Sequence, residues 1–163
     1  MEETLAVQAD LMKRFPRELS NLKVPRARRI FVDVSAADRA VVFDTLVRQM
    51  DFSILLTITG LDLGERLGVI YHMARPSGVV LNLSTSLPKA EPILPSVTDY
   101  FPAAELYERE LFDLLGIQVQ GLPEGPRYPL PDDWPDGQFP LRKDWDPKSL
   151  EQGPAGPSEV QNA

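Results

Sequence analysis

Four runs between residues 28 and 88 carry apolar residues at every second position, the period of a strand with one face in a core. In "RRIFVDVS" Ile30, Val32 and Val34 alternate with Phe31 and Asp33, and in "SILLTITG" the inward set reads as Ile54, Leu56 and Ile58. "RLGVIYHMA" supplies Leu67, Val69, Tyr71 and Met73, while "GVVLNLSTSL" supplies Val79, Leu81, Leu83, Thr85 and Leu87. The connections "LDLGE" and "RPSG" are short enough for hairpins, so the last three runs are expected to pair antiparallel.

Helical spacing surrounds these runs. Residues 3–15 predict a short helix with Leu5, Gln8, Met12 and Phe15 along one ragged stripe, stopped by Pro16. Ser35 with Asp38 resembles a capping box, and Val42, Leu46, Val47 and Met50 form the stripe of the helix behind it. A third helix is predicted in "PAAELYERELFDLLG", with Pro102 in its first turn and Gly116 as its stop. Ala104, Tyr107, Leu111, Leu114 and Leu115 would face the sheet. One apolar face per strand implies helices on a single side. The expected fold is therefore α+β: a two-layer sandwich of a mostly antiparallel four-stranded sheet covered by helices. The expected divisions are an N-terminal helix and linker over 1–24 and the α+β domain over 25–121. An extended docking arm follows over 122–146, and a disordered tail over 147–163.

The far face of the third helix raises the question of function. Glu105, Arg109 and Asp113 line up there at i, i+4 and i+8, flanked by Leu106 and Phe112. Such a row reads as intrahelical ion pairs worth about 0.2–0.5 kcal/mol each. Charges edged by apolar residues suit a second layer or a partner better than water alone. The carboxylates Glu108, Glu110 and Asp113 could instead serve acid/base chemistry. Only Glu110 and Asp113 fall within 60° of each other on the helix, so the three do not converge.

Beyond Leu122 the chain changes character. The last 42 residues hold nine of the 16 prolines and both tryptophans. Proline blocks regular ladders, yet Tyr128, Trp134, Phe139 and Trp145 are more large rings than a disordered tail carries. Arg127 and the run Leu141, Arg142, Lys143, Asp144 and Trp145 suit an interface in which arginine makes paired contacts and tryptophan anchors. A tail folded back on its own domain fits the same residues.

Composition narrows the possibilities. The chain has 163 residues, 43% hydrophobic and 25% charged, which suits one globular domain. A net charge of −7 argues against a nucleic-acid surface. No cysteine is present, which removes thiolate metal sites, cysteine-ligated iron–sulfur clusters and cysteine nucleophiles. No run approaches ~20 apolar residues and the acidic start does not read as a signal peptide, so a cytosolic location without direct membrane insertion is expected. His72 is the single histidine, with no triad or zinc spacing around it. There is no phosphate loop and no dinucleotide fingerprint. "DDWPDG" lacks the spacing and distal glutamate of a calcium loop.

The pair of segments "PSVTDYFPAAELYERELFDLLGI" and "LPDDWPDGQFPLRKDW" resembles the C-type peripheral-arm subunit of respiratory complex I, a family shared with energy-converting membrane [NiFe] hydrogenases. The matching positions are Ser96, Val97, Thr98, Pro102, Glu108, Arg109, Glu110, Asp113 and Gly116. On the arm they are Leu130, Pro131, Asp133, Trp134, Pro140, Leu141, Arg142, Lys143 and Asp144, and "VIYH" looks like a strand of the family. Leu122 stands where the family usually carries a histidine.

The resemblance implies a cofactorless scaffold subunit of an oxidoreductase complex of the NADH:quinone oxidoreductase or membrane-bound hydrogenase type, peripheral on the cytoplasmic face of the membrane. It would have no active site of its own and would hold no cofactor or metal. Its partners would be the large catalytic subunit, which forms the quinone or nickel–iron site, and iron–sulfur subunits. The predicted partner-interface residues, from the helix face and the arm together with this resemblance, are Glu105, Glu108, Arg109, Glu110, Phe112, Asp113, Arg127, Trp134, Leu141, Arg142, Lys143, Asp144 and Trp145. A formate hydrogenlyase would use the subunit in the same way. An independent acid/base enzyme using His72 with Glu110 or Asp113 is the reading from a different class.

Overall fold

The computed structural model describes residues 1–150. Its elements run α1 (Glu2–Arg14), β1 (Leu19–Arg26), β2 (Arg29–Val34), α2 (Arg39–Arg48), β3 (Ile54–Asp62), β4 (Arg66–Ala74), β5 (Val80–Pro88), β6 (Ile93–Pro95), α3 (Ala104–Leu115) and β7 (Gln118–Gln120). A short 3-10 turn at Pro147–Leu150 closes the described chain. The segment expected to be a disordered tail lies outside the described residues from position 151 on.

The main sheet has five strands in the order β1-β2-β5-β4-β3, one more than the alternation shows. Every pairing is antiparallel except β2 with β5, which run parallel with Ile30 beside Leu81. A second sheet of two short parallel strands joins β6 to β7. The unforeseen strand β1 breaks register twice against β2, with Asn21 at positive φ, and Pro25 interrupts its pattern. These irregularities hide its alternation from a period-2 reading.

The inward sets of β2, β4 and β5 are as expected: Ile30, Leu67, Val69, Tyr71, Met73, Leu81 and Leu83 are all fully buried. In β3 the set is different. The register jumps between Leu55 and Thr57, so Leu56 is the extra residue of a bulge. Leu55 then pairs with Met73 and Ile58 with Tyr71 on the core side, while Ile54 and Leu56 are exposed. In α1 the buried stripe is Thr4, Val7 and Leu11 with Phe15, one position from the expected one, and Leu5 and Met12 face out.

All three helices contribute to the one core on the same side of the sheet. The Ser35 hydroxyl accepts from the Asp38 N–H and donates to the Asp38 carboxylate, but the pair closes a turn before the helix, which begins at Arg39, rather than capping it. Helix α3 lies against β3, where Gly60 leaves room that a side chain would take from Leu111 and Leu115. Its end is an αL cap: Gly116, at φ 71°, donates its N–H to the Phe112 carbonyl, and Ile117 N–H reaches that of Leu111.

Candidate docking surface

Charged residues of α3 lie on both of its sides, and each group meets a different neighbour. Glu108 faces inward and is fully buried. Its carboxylate accepts from the Ser96 hydroxyl at 2.6 Å and the Val97 N–H at 2.8 Å, fixing the loop before the helix. Burial pushes its carboxyl above the usual glutamate range, against the pull of these two bonds and of the Arg39 charge. Arg39 is itself buried, donating to the Pro95 carbonyl at 2.7 Å and the Tyr71 hydroxyl at 3.2 Å.

A raised carboxyl binds its proton more tightly in the folded state, so stability falls as pH rises from the unfolded glutamate value to the folded one. Glu108→Gln keeps both hydrogen bonds, donating to Ser96 and accepting from Val97, and is expected to cost less than ~1 kcal/mol near neutral pH. Glu108→Ala strands the Val97 N–H and is expected to cost about 2–3 kcal/mol. Urea unfolding across pH 4–8 checks this: the Gln variant gains on the wild type as pH rises. Parallel curves would contradict the assignment.

On the far side the row Glu105–Arg109–Asp113 is only half an intrahelical series. Arg109 does pair with Glu105 at 2.7 Å, but its guanidinium also reaches the carbonyls of Pro123 at 2.8 Å and Pro126 at 3.3 Å. Asp113 turns instead to Arg127 at 3.0 Å and to the Leu130 N–H at 3.2 Å. The layer over this face is the chain's own proline-rich arm. Gly125 approaches Arg109 so closely that any Cβ there would meet the guanidinium.

Farther along, the arm is fastened residue by residue. Arg127 donates to the Trp134 carbonyl, and the indole N–H groups of Trp134 and Trp145 both end on Gln138, with ring centroids 6.2 Å apart. Leu141 N–H donates to the Leu114 carbonyl, and Arg142 to that of Leu115 while its guanidinium lies over the Phe139 ring. Phe139 and Arg142 pack on Gly116, where a Cβ would overlap them. Lys89 joins Asp62 of β3 to Asp144 of the arm, 2.8 Å from each, and Lys143 N–H also binds Asp62. The Lys89 ammonium and these N–H donors hold the Asp62 carboxyl well below the usual range.

The structure thus gathers Glu105, Arg109, Asp113, Arg127 and Trp134 around one stretch of arm. It places Arg142, Lys143, Asp144 and Trp145 around the end of α3. Glu108 is separate and inside. Phe112 and Leu141 remain open, 45% and 55% exposed, with Leu106 and Tyr128 also outward. Glu110 is half-buried and enters no ion pair among the described residues. His72 lies on the opposite face of the sheet, its ring held by Thr59 at 2.9 Å and Asn82 at 2.7 Å. The sheet stands between it and α3, so the geometry does not join it to Glu110 or Asp113.

Sequence reasoning missed Arg39, Asp62 and Lys89, and had Ser96 only as a position matching the family, without its bond to Glu108. A signal existed only for Arg39, which falls on the apolar stripe with Val42, Phe43 and Leu46. No helix among the described residues is long and apolar enough to cross a membrane.

The family model for the respiratory-chain NADH dehydrogenase, 30 Kd subunit, matches residues 32–151. Membrane-bound hydrogenase subunit beta of Pyrococcus furiosus is 31% identical over 152 residues, covering 88% of this chain and 87% of that protein. The C/D subunit of NADH-quinone oxidoreductase from Phocaeicola vulgatus is 44% identical over 104 residues, which is 61% of this chain and 19% of that longer protein. A chain of the archaeal membrane-bound sulfane sulfur reductase complex shares the fold, with a TM-score of 0.80 at 24% identity over 99% of this chain and 96% of its own. By the extent of these matches, the chain belongs to the respiratory-chain NADH dehydrogenase 30 Kd subunit family, a complex I-type and hydrogenase-type subunit.

Proposed function

We propose that this chain is a scaffold subunit, without cofactor or active site of its own, that docks on the large catalytic subunit of a membrane-associated oxidoreductase. Iron–sulfur subunits would neighbour it, on the cytoplasmic face of the membrane. The observation that carries this reading is the surface left once the arm has closed. The arm satisfies the charges of α3, yet Leu106, Phe112, Tyr128 and Leu141 stay outward along it. Large apolar side chains held open beside a rigid, satisfied polar network suit a protein partner.

Two features of the relatives support the reading. Proteins named for hydrogenase and for NADH-quinone chemistry share this sequence pattern, as expected when the reacting groups sit in other subunits. In the C/D relative a C-type segment is part of one chain with a D-type segment, which suits direct contact between the two. Hydrogenase-type assembly is the second reading, favoured by a match to the hydrogenase beta chain that runs over 88% of this one.

The test uses substitutions that leave the fold alone. Phe112→Glu with Leu141→Glu is expected to change stability by less than ~1 kcal/mol because both side chains are about half exposed. The same pair is expected to lower recovery of the large subunit with the tagged chain at least ~tenfold. Undiminished co-purification would remove this surface from the interface. Nickel in the purified complex selects the hydrogenase reading, and flavin with NADH oxidation selects the respiratory one.

A further inference from the structure

The two edges of the main sheet are built differently. At one edge, β1 carries two register breaks, Lys23, Pro25 and Arg26, devices that discourage another strand from pairing. At the other, β3 is nine residues long with no proline and no lysine or arginine; its one bulge, at Leu56, leaves Thr57–Leu61 in regular register, and Ile54, Leu56 and Leu61 are exposed along it. A soluble protein rarely leaves such an edge bare. Its ends are closed off: the Tyr107 hydroxyl donates to the Leu56 carbonyl, and Lys89 and Lys143 converge on Asp62. Between them, β3 pairs only with β4, so Thr57–Leu61 presents unpaired backbone groups on its outer side.

Beside this stretch lies a groove of about 270 Å³ between β3 and α3, walled by Thr57, Gly60, Leu114 and Leu141, with Glu110 at its rim. We infer that this edge takes an extended segment of a partner polypeptide as a sixth strand, with a lysine or arginine of that segment set against Glu110. Main-chain hydrogen bonds along Thr57–Leu61, about 17 Å of strand, supply the attachment. The groove accepts one of the segment's alternate side chains, and Glu110 selects the charge. Edge-to-edge pairing of two copies is disfavoured, since it joins two chains each of net charge −7 and supplies no cation for Glu110. This inference rests on the docking reading and names a second contact within it.

Hydrogen exchange at single-residue resolution tests it, comparing the full chain alone with the chain in the complex purified from its native membrane. Amides at alternate positions of Thr57–Leu61 are expected to slow at least ~100-fold in the complex. Glu110→Lys is expected to lower recovery in the complex about tenfold and Glu110→Gln less. Unchanged exchange at these amides in a complex that retains the chain overturns the added strand, while slowing on α3 and the arm would leave the docking reading standing. Uniform rather than alternate slowing also overturns it, by showing cover without strand pairing. Concentration-dependent slowing in the isolated chain overturns it in favour of a second copy.

Discussion

Arg39→Ala is expected to cost about 3–5 kcal/mol of folding stability, the range for breaking a buried charge away from its partners. The guanidinium is 2% exposed, bonds the Pro95 carbonyl and the Tyr71 hydroxyl, and sits 5.4 Å from the Tyr71 ring centroid. It also supplies the cation felt by the buried Glu108. Its removal leaves a carbonyl and a phenol without their shared donor, and the Glu108 carboxylate without its nearby cation, in a site closed to water. Because small domains are stable by only about 5–15 kcal/mol, the urea midpoint should fall by a large fraction. Tyr71→Phe removes only the longer of the two hydrogen bonds and is expected to cost about 1 kcal/mol. A loss under 1 kcal/mol in Arg39→Ala would mean that water replaces the guanidinium, and the polar cluster would not be a determinant of the fold.

Freeing the arm is the second large effect. Asp113→Ala removes both the buried Arg127 ion pair and the acceptor for the Leu130 N–H, leaving Arg127 with only the exposed Asp136 carboxylate at 3.7 Å. The closed arm should lose about 2–3 kcal/mol, a rise of roughly 30- to 150-fold in the open population. Trypsin cleavage after Arg142 reads that population directly when opening is fast relative to cutting. Asp113→Asn keeps an acceptor for Leu130 and should cleave at an intermediate rate. Wild-type rates in Asp113→Ala would show that the arm is held elsewhere.

Acid acts at the other fastening. The Asp62 carboxyl is depressed by Lys89 and by N–H donors of residues 64 and 143, so its contribution is complete above the unfolded aspartate value. That contribution is lost as pH falls toward the folded one, and cleavage by an acid-active protease should then rise.

Much of this fold can be read from the alternation alone, because β2, β4 and β5 bury one face completely and their polar residues, Thr85 and the Tyr71 hydroxyl apart, lie on the other. The reading fails where geometry departs from period 2. The bulge at Leu56 moves Leu55 rather than Leu56 inward, and β1 breaks register twice. The helix row at Glu105, Arg109 and Asp113 is visible as a face that needs covering, but its cover is not. Asp113 meets Arg127, and Asp62 meets Lys143, across stretches of chain that local spacing does not relate. Arg39 is legible in principle as a cation on an apolar stripe, whereas Glu108 looks like one more surface charge until the loop at Ser96 closes over it.

The parallel seam between β2 and β5 also sets an order of events at the ribosome. Ile30 must wait for Leu81 before it has a neighbour on that side. At roughly 5–20 residues per second the delay is about 3–10 s. Throughout that interval the hairpin of β1 and β2 has no sheet to join, and a two-stranded hairpin by itself is marginal in water. The N-terminal hairpin therefore stays without its native sheet until the strand that completes the middle of that sheet has been made.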